Sequence, residues 1–158
     1  MSETSNPHAR DTLTGLILLL FRVNNLTLSW GDKLVAPFGL TSARWQILGA
    51  IVAAGRPQPV SWLARDLGAN RQNVQRIVND LHGEGLVAFA PNPHHRRAQL
   101  VLLTEQGQQA YDAAVESYNP KADRLAQGLS EADLEAAHRV MAALRDKLEH
   151  ENDAQERA

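Results

Sequence analysis

The side chains best suited to specific chemistry lie in one run between positions 70 and 81. At about 100° per residue on a helix, its apolar residues share one side and its amide and guanidinium groups share the other. The apolar set is Val74, Ile77, Val78 and Leu81, and the polar set is Gln72, Gln75, Arg76 and Asn79, flanked by Arg71 and Asn73. Amides can bond adenine through two hydrogen bonds, and guanidinium groups can bond guanine in the same way. The run therefore predicts a helix that contacts base edges, on a face expected to carry no acid.

Asn70 precedes this run, at the position where the helix would begin. Asparagine is a favoured N-cap, and the N–H groups at a helix start can hold a phosphate. The simpler interpretation is a solvated surface helix. Such helices usually carry Glu or Lys, and this outward face is expected to have neither, which favours the binding interpretation.

Helices and one hairpin must position this run. Apolar spacing predicts a long first helix over 11–36, ended by Pro37, after a loose arm of nine residues. Further helices are predicted from Thr41 to Gly55, from about Pro59 to Gly68, after Thr104, and after Ser130. Strands are predicted over 86–90 and 98–103, joined by a turn-rich loop, and Pro120 is expected to kink or interrupt its helix. The fold class is mainly α with a small antiparallel hairpin.

The net charge of -2 conceals an uneven distribution. Residues 1–55 sum to +1, residues 56–104 to +3 and residues 105–158 to -6. All six basic residues of the middle segment are arginines, whose planar fork suits phosphates and guanine. The total charge therefore does not exclude a nucleic-acid partner.

The order helix, turn, helix, hairpin is that of a winged helix-turn-helix, and the ordered motifs resemble the MarR family of bacterial transcriptional regulators from about Leu13 to Leu148. The motifs are Leu40-Thr41 with Trp45, Ile47 and Leu48; Val60-Ser61-Trp62-Leu63-Ala64; Asn70-Arg71-Gln72-Asn73-Val74; Gly85-Leu86-Val87; Arg96-Arg97; and Leu103-Thr104-Glu105-Gln106-Gly107. The resemblance implies a single domain of 1–158 and a homodimer. Dimerisation helices would span 1–37 and 105–150, the winged region 41–104 and a flexible tail 151–158.

The resemblance also implies a regulator, most simply a repressor, that binds a pseudo-palindromic operator in double-stranded DNA. The implied DNA-contacting residues are Ser61, Asn70, Arg71, Gln72, Asn73, Gln75, Arg76, His95, Arg96 and Arg97. The family's wing usually carries an acid where His95 stands. The carboxylate that would orient the wing arginine is missing, so the rigidity of the wing is an open question at this point.

An effector pocket is implied between the dimerisation helices and the winged region. Trp30, Arg44 and Trp45 are its candidate lining, and an aromatic acid would suit an arginine beside tryptophans. Plain core packing is the alternative for these three residues.

Other chemistries find little support in the sequence. Cysteine is absent, which excludes disulfides and thiolate metal sites, and His94-His95 lacks further ligands at metal-binding spacing. We expect no metal site, no cofactor and no catalytic residues, because no nucleophile elbow or phosphate-binding glycine loop is found. The apolar run from Gly15 to Phe21 is shorter than the ~20 residues of a membrane span, so a cytoplasmic protein is expected. The alternatives are a winged-helix module that binds proteins, a metal-responsive member of the family, and an enzyme whose helices mimic the pattern.

Overall fold

The computed structural model describes residues 6–156, and within them helices predominate. The helices are α1 (Pro7–Val35), α2 (Ser42–Ala54), α3 (Val60–Asp66), α4 (Arg71–Gly83), α5 (Glu105–Ala126) and α6 (Glu131–Glu156), and a short 3-10 helix covers Ala36–Phe38. The strands are β1 (Gln58–Pro59), β2 (Val87–Ala90) and β3 (Leu100–Leu103). The predicted class, mainly α with a small antiparallel sheet, is confirmed.

The first helix begins earlier than predicted. The side chain of Asn6 accepts a hydrogen bond from the backbone N–H of Ala9 at 3.2 Å, and Pro7 occupies the first helical turn, where its fixed φ is favourable. Residues 7–9, expected in a loose arm, are therefore helical. The rest of that predicted arm, residues 1–5, lies outside the described residues. The helix ends at Val35, just before Pro37, as predicted.

By length and composition, α1 and the turn after it could cross a membrane. The most apolar 18-residue window within 7–38 has a mean hydropathy of 1.3, and none of its residues is buried. This corrects the sequence argument, which considered only the run from Gly15 to Phe21. A helix whose apolar side is covered by another protein chain would have the same composition.

The sheet has three strands in the order β1–β3–β2, all antiparallel. Val87 pairs with Leu103 and Ala90 with Leu100, which builds the predicted hairpin with slightly shorter strands. The edge strand β1 was not predicted. It contains only Gln58 and Pro59, too few residues to show alternation, and proline is tolerated there because it lies at an edge.

The core lies where α2, α3, α4 and the sheet meet. Ile47, Leu48, Leu63, Val78 and Val101 are among its most completely buried side chains. A tight turn between α3 and α4 uses Gly68 at φ +59°, and the N–H of Ala69 bonds the carbonyl of Ala64 at 2.8 Å. The core thus fixes α4 against α3 and leaves the opposite side of α4 in solvent.

Two compact units divide the chain, one ending at Asn119 and the other beginning at Pro120. The helix α5 continues through Pro120, so of the two expected outcomes the interruption is wrong and a kinked helix stays the prediction. Ser130 caps α6 by accepting a hydrogen bond from the N–H of Asp133 at 3.1 Å, as predicted. Residues 151–156, expected in a flexible tail, are helical, and residues 157–158 of that tail lie outside the described residues.

Candidate nucleic-acid interface

The helix α4 presents one buried and one exposed side. Val74, Ile77, Val78 and Leu81 are at most 6% exposed, which confirms the predicted core side. Asn70 caps the helix, because its side-chain oxygen accepts the N–H groups of Gln72 at 2.9 Å and Asn73 at 3.2 Å. These bonds hold the first turn of the helix in place and occupy the side-chain oxygen Oδ1 of Asn70.

Hydrogen bonds along the exposed side of α4 order part of it. Arg76 donates to the side-chain oxygen of Asn73 at 3.0 Å and pairs with Asp80 at 3.4 Å. Gln75 donates from Nε2 to Asn79 Oδ1 at 2.9 Å. The expectation of a face without acid is wrong, because Asp80 lies one turn beyond Arg76 and contacts it. This pair is largely exposed, so it orients Arg76 without neutralising it strongly.

Two side chains at the start of α4 differ from these. Within residues 6–156 the structure records no side-chain hydrogen bond for Arg71 or Gln72, and both are exposed. Ser61 lies in the first turn of α3 and is half-buried. The structure thus leaves Arg71 and Gln72 available to an incoming ligand, while Gln75 and Arg76 must exchange partners first.

A buried asparagine holds the wing loop. Asn92 is 8% exposed, its Nδ2 donates to the carbonyl of Ala98 at 2.9 Å, and its Oδ1 accepts the N–H of His94 at 3.0 Å. The N–H of Ala98 also bonds the carbonyl of His95 at 3.0 Å. The loop is therefore closed by its own amide, although the family's usual acid is replaced by His95. His95, Arg96 and Arg97 project from it and are exposed.

A bidentate ion pair joins α2 to the end of α4. Arg44 donates to the two carboxylate oxygens of Glu84 at 2.7 and 2.9 Å, and to the carbonyl of Gly39 at 3.3 Å. Arg44 was expected to line an effector pocket beside Trp45. Its side chain is instead held by Glu84, so the structure does not bring it to the tryptophans.

The two tryptophans expected at that pocket share one aromatic neighbour, Tyr118. Trp30 and Trp45 both make edge contacts with Tyr118, with ring centroids 6.0 and 5.5 Å apart. They border a cavity of about 310 Å³ between α1, α2 and α5. Tyr118 was missed as a lining residue, since only the packing of α5 brings it to this place.

The cavity, here called the aromatic cavity, has an uncharged lining. It consists of Asn24, Thr27, Leu28, Trp30, Gly31, Ser42, Trp45, Gln46 and Tyr118. Ser42 is fixed in its wall, because its hydroxyl donates to the carbonyl of Leu28 at 2.7 Å and its N–H donates to Asp32 at 2.7 Å. Such a lining suits an aromatic group with hydrogen-bonding substituents. Metal chemistry has no comparable site among residues 6–156, where no group of three potential His, Asp or Glu ligands occurs.

The fold and this exposed face define a winged helix-turn-helix protein. The sequence model of the MarR family matches residues 38–98. An uncharacterised protein of Mycobacterium tuberculosis is 37% identical over 126 residues, which cover 80% of this chain and 87% of that protein. The chain belongs to the MarR family of transcription regulators.

Two further relatives carry functional names. The transcriptional activatory protein BadR of Rhodopseudomonas palustris is 33% identical over 61% of this chain and 57% of its own length. The HTH-type transcriptional repressor IacR of Pseudomonas putida is 26% identical over 75% of this chain and 70% of its own length.

Solved structures share the fold at lower identity. A mutant of E. coli MarR complexed with operator DNA superposes with a TM-score of 0.75 at 20% identity, covering 85% of this chain and 96% of MarR. CouR of Rhodococcus jostii, bound to p-coumaroyl-CoA, gives a TM-score of 0.73 at 22% identity, covering 82% of this chain and 90% of CouR. These neighbours confirm the winged-helix architecture.

Proposed function

We propose that this protein binds a pseudo-palindromic operator as a homodimer, represses transcription from it, and is released by a small molecule. One observation carries the DNA-binding part: a capped helix whose solvent side presents amides and guanidinium groups, beside a wing that ends in two exposed arginines. The helix α4 fits the major groove, where such groups bond base edges. The wing supplies phosphate contacts, which position a protein on the duplex.

The roles of individual residues follow from their availability. Arg71 and Gln72 are the first candidates for base contacts, since no partner within the described chain engages them. Gln75 and Arg76 contact the DNA after they give up their hydrogen bonds to Asn79 and Asp80. Asn73 and Asn70 act at the start of the helix, where Asn70 Oδ1 holds the N–H groups of Gln72 and Asn73 and leaves the side-chain Nδ2 of Asn70 to donate to a phosphate. The remaining proposed contacts are to the phosphate backbone of the DNA, and they come from Ser61 and from the wing residues His95, Arg96 and Arg97.

The homodimer is supported by apolar side chains that the chain leaves exposed. On α1 they include Leu18, Leu19, Phe21 and Leu26, each more than half exposed, and in the second unit they include Leu125, Leu129 and Leu148. Exposed apolar surface on this scale is typical of a face covered by another chain. We assign it to a second copy in the cytoplasm of a bacterium rather than to a membrane, since two copies provide the two-fold symmetry that a palindromic operator requires.

Release by an effector is supported by the aromatic cavity. It lies beside α2, and Arg44, next to Trp45 in sequence, is bonded to Glu84 at the end of α4. A ligand that displaces Trp45 would therefore act on the same helix that holds α4. The neighbour CouR was solved bound to p-coumaroyl-CoA, and we propose an uncharged aromatic group as the part of the ligand that enters this cavity.

Selection from random DNA duplexes with the full-length protein tests the proposal. We expect enrichment of an inverted repeat whose half-sites lie about one helical turn apart, with affinity that falls steeply as salt is raised. Enrichment of no sequence, or binding indifferent to salt, would contradict it and favour the alternative of a winged-helix module that binds proteins. Transcription from a template carrying the selected site then distinguishes repression from activation.

A further inference from the structure

The exposed apolar side of α1 and the helix α4 belong to one compact unit, which ends at Asn119. Phe21 is 66% exposed on α1, whereas Val35, at the end of the same helix, is fully buried among core residues of the winged region. One continuous helix thus leads from the surface proposed for dimerisation into the core that holds α4. The contacts that fix the winged region on α1 and α5 therefore fix the position of α4 relative to that surface.

The end of α1 is joined to α2 at a glycine. Gly31 is buried, and a Cβ added there would overlap the hydroxyl oxygen of Ser42. That hydroxyl donates to the carbonyl of Leu28 at 2.7 Å, and the N–H of Ser42 donates to the carboxylate of Asp32 at 2.7 Å. The two helices can lie this close because position 31 has no side chain, and the hydrogen bonds on either side of it hold them there.

The start of α5 is joined to the end of α4 through Leu86. Its N–H donates to the carbonyl of Leu81 in the last turn of α4 at 2.9 Å, and its carbonyl accepts the N–H of Thr104 at 3.2 Å. A Cβ added at Gly107 would overlap the Leu86 carbonyl oxygen and lie 2.8 Å from the carbonyl carbon. Carbon atoms in contact are usually about 3.5–4.0 Å apart. Leu86 thus bonds to α4 and touches α5 at a place that has no room for a side chain.

The side chain of Thr104 adds two hydrogen bonds to the same contact. Its hydroxyl donates to the carbonyl of Gly85 at 2.6 Å and accepts the N–H of Gly107 at 3.0 Å. The turn after α4 and the first turn of α5 therefore share one side chain as a hydrogen-bond partner. Bending α5 away from α4 would break these bonds together with the one between Thr104 and Leu86.

We infer that Gly31 and Gly107 determine which half-site spacing this protein accepts. Each brings a flanking helix so close to the winged region that the winged region is held from turning on α1 and on α5. One extra base pair between the half-sites moves one of them by about 3.4 Å and turns it by about 35°. A dimer with fixed winged regions cannot follow that change. The inference rests on the proposed function, because it concerns a homodimer on an inverted repeat.

Binding of the full-length protein to duplexes of different spacing tests the inference. The duplexes carry the two selected half-sites at the selected spacing, or with one or two base pairs added or removed. We expect the wild-type affinity to fall at least tenfold when one base pair is added or removed. Gly31→Ala and Gly107→Ala should each reduce this preference to less than threefold or move its optimum, while the affinity for a duplex with a single half-site changes less than twofold. If Gly107→Ala does not fold, Thr104→Val tests the same contact.

Two further variants separate this effect from general damage. Gly49→Ala on α2 is the matched control, because a Cβ there would lie 3.6 Å from the Tyr111 ring, an ordinary contact, and it should keep the wild-type preference. Ser42→Ala combined with Gly31→Ala removes the hydroxyl that the new methyl group meets and leaves the two Cβ atoms 3.5 Å apart. The double variant should therefore regain the preference that Gly31→Ala loses. Thermal unfolding verifies that each variant folds.

A distance measurement without DNA provides an independent readout. The chain has no cysteine, so Gly83→Cys allows one spin label per protomer. This position ends α4, and a Cβ there meets no atom of the described chain within 4 Å. Double electron–electron resonance should give one narrow distance between the two labels of a dimer. Adding Gly31→Ala should shift or broaden that distance, and adding Gly49→Ala should leave it unchanged.

Three results would overturn the inference: equal wild-type affinity at every spacing, an equal loss by the glycine variants on all duplexes including the single half-site, or an unchanged label distance in Gly31→Ala. The second result would mean that the two glycines only maintain the fold or the DNA-contacting face. Absence of wild-type binding to any duplex would instead refute the proposed DNA-binding function, while the label distance still decides whether the glycines fix the position of α4.

Discussion

The winged region and the terminal helices differ in how far their apolar side chains are exposed to solvent. Between residues 41 and 104, Leu48, Leu63 and Leu81 are fully buried, and the exposed side chains of α4 and the wing are amides and arginines. On α1, Phe21 and Leu18 are 66% and 65% exposed. The segment after residue 104 carries the acidic excess. The winged region thus buries its large apolar side chains within the chain, together with Leu34 and Val35 from the end of α1, whereas the rest of α1 leaves large apolar side chains exposed.

The largest effect is expected from charged substitutions on the exposed apolar side of α1. Leu18→Glu combined with Phe21→Glu places two charges in the proposed interface, so we expect loss of the dimer in sedimentation experiments. Operator affinity should fall about 100-fold or more, because a single winged unit loses the effective concentration that its partner provides. Arg10→Glu, a charge change at an exposed position of the same helix, is the control. A wild-type protein that sediments as a folded monomer at micromolar concentration would remove the basis of the comparison.

The next effect concerns the reading face. Gln72→Ala should reduce discrimination at one position of each half-site by roughly 1–3 kcal/mol, because a side chain that pairs with one base specifies only that base. Binding to a panel of single-base operator variants measures it. A uniform loss across the panel would mean that Gln72 contacts the backbone. Gln75→Ala should reduce discrimination at a neighbouring base position of each half-site. Asn79→Ala, which removes only the hydrogen-bond partner of Gln75, is the variant with which it is compared.

A smaller, uniform effect is expected at the wing. Arg97→Ala should weaken binding about tenfold, or 1.4 kcal/mol, on every sequence and reduce the salt dependence, because a phosphate contact positions the protein without reading bases. Arg139→Ala, an exposed arginine of α6, is the matched control. Equal affinities of the variant and the wild type at physiological salt would exclude the wing from the interface.

The smallest effect tests the tie between α2 and α4. Glu84→Gln removes the carboxylate partner of Arg44, whose side chain is 22% exposed while that of Glu84 is 47% exposed. For such a half-exposed pair we expect a loss of about 0.5–1 kcal/mol in the free energy of unfolding. Urea denaturation measures it, with Glu116→Gln on α5 as the control. A loss no larger than that of the control would show that the pair contributes nothing to the position of α4.

Much of the fold could be predicted from local patterns in the sequence. The N-cap residues Asn70 and Thr104 and the apolar spacing on α4 each report on their own helix, so they could be interpreted one residue at a time. The two-residue strand β1 could not be found in this way, because it exists only through its pairing with β3. The expectation at Pro120 left a kink and an interruption open, because the local sequence does not distinguish a proline that kinks a helix from one that ends it.

The sequence likewise predicted only part of the candidate site. Which residues of α4 face solvent follows from helical periodicity. Which of them are engaged does not, because Asp80 and Asn79 compete for Arg76 and Gln75 through side-chain geometry. The partner of Arg44 lies 40 positions away in the chain, and the meeting of Tyr118 with Trp30 depends on the packing of α5. Such contacts between distant segments leave no local pattern in a single sequence.

The buried amide of Asn92 has a consequence for how this wing can change. Its hydrogen bonds to Ala98 and His94 close the loop through backbone groups, and the side chains of residues 94–97 are exposed and take no recorded part in that closure. The side chains from His94 to Arg97 can therefore be exchanged or reversed in charge while the backbone of the loop keeps its path. A library confined to those positions should yield proteins that still fold but differ in which DNA they hold, whereas changes at Asn92 should disturb every tip alike.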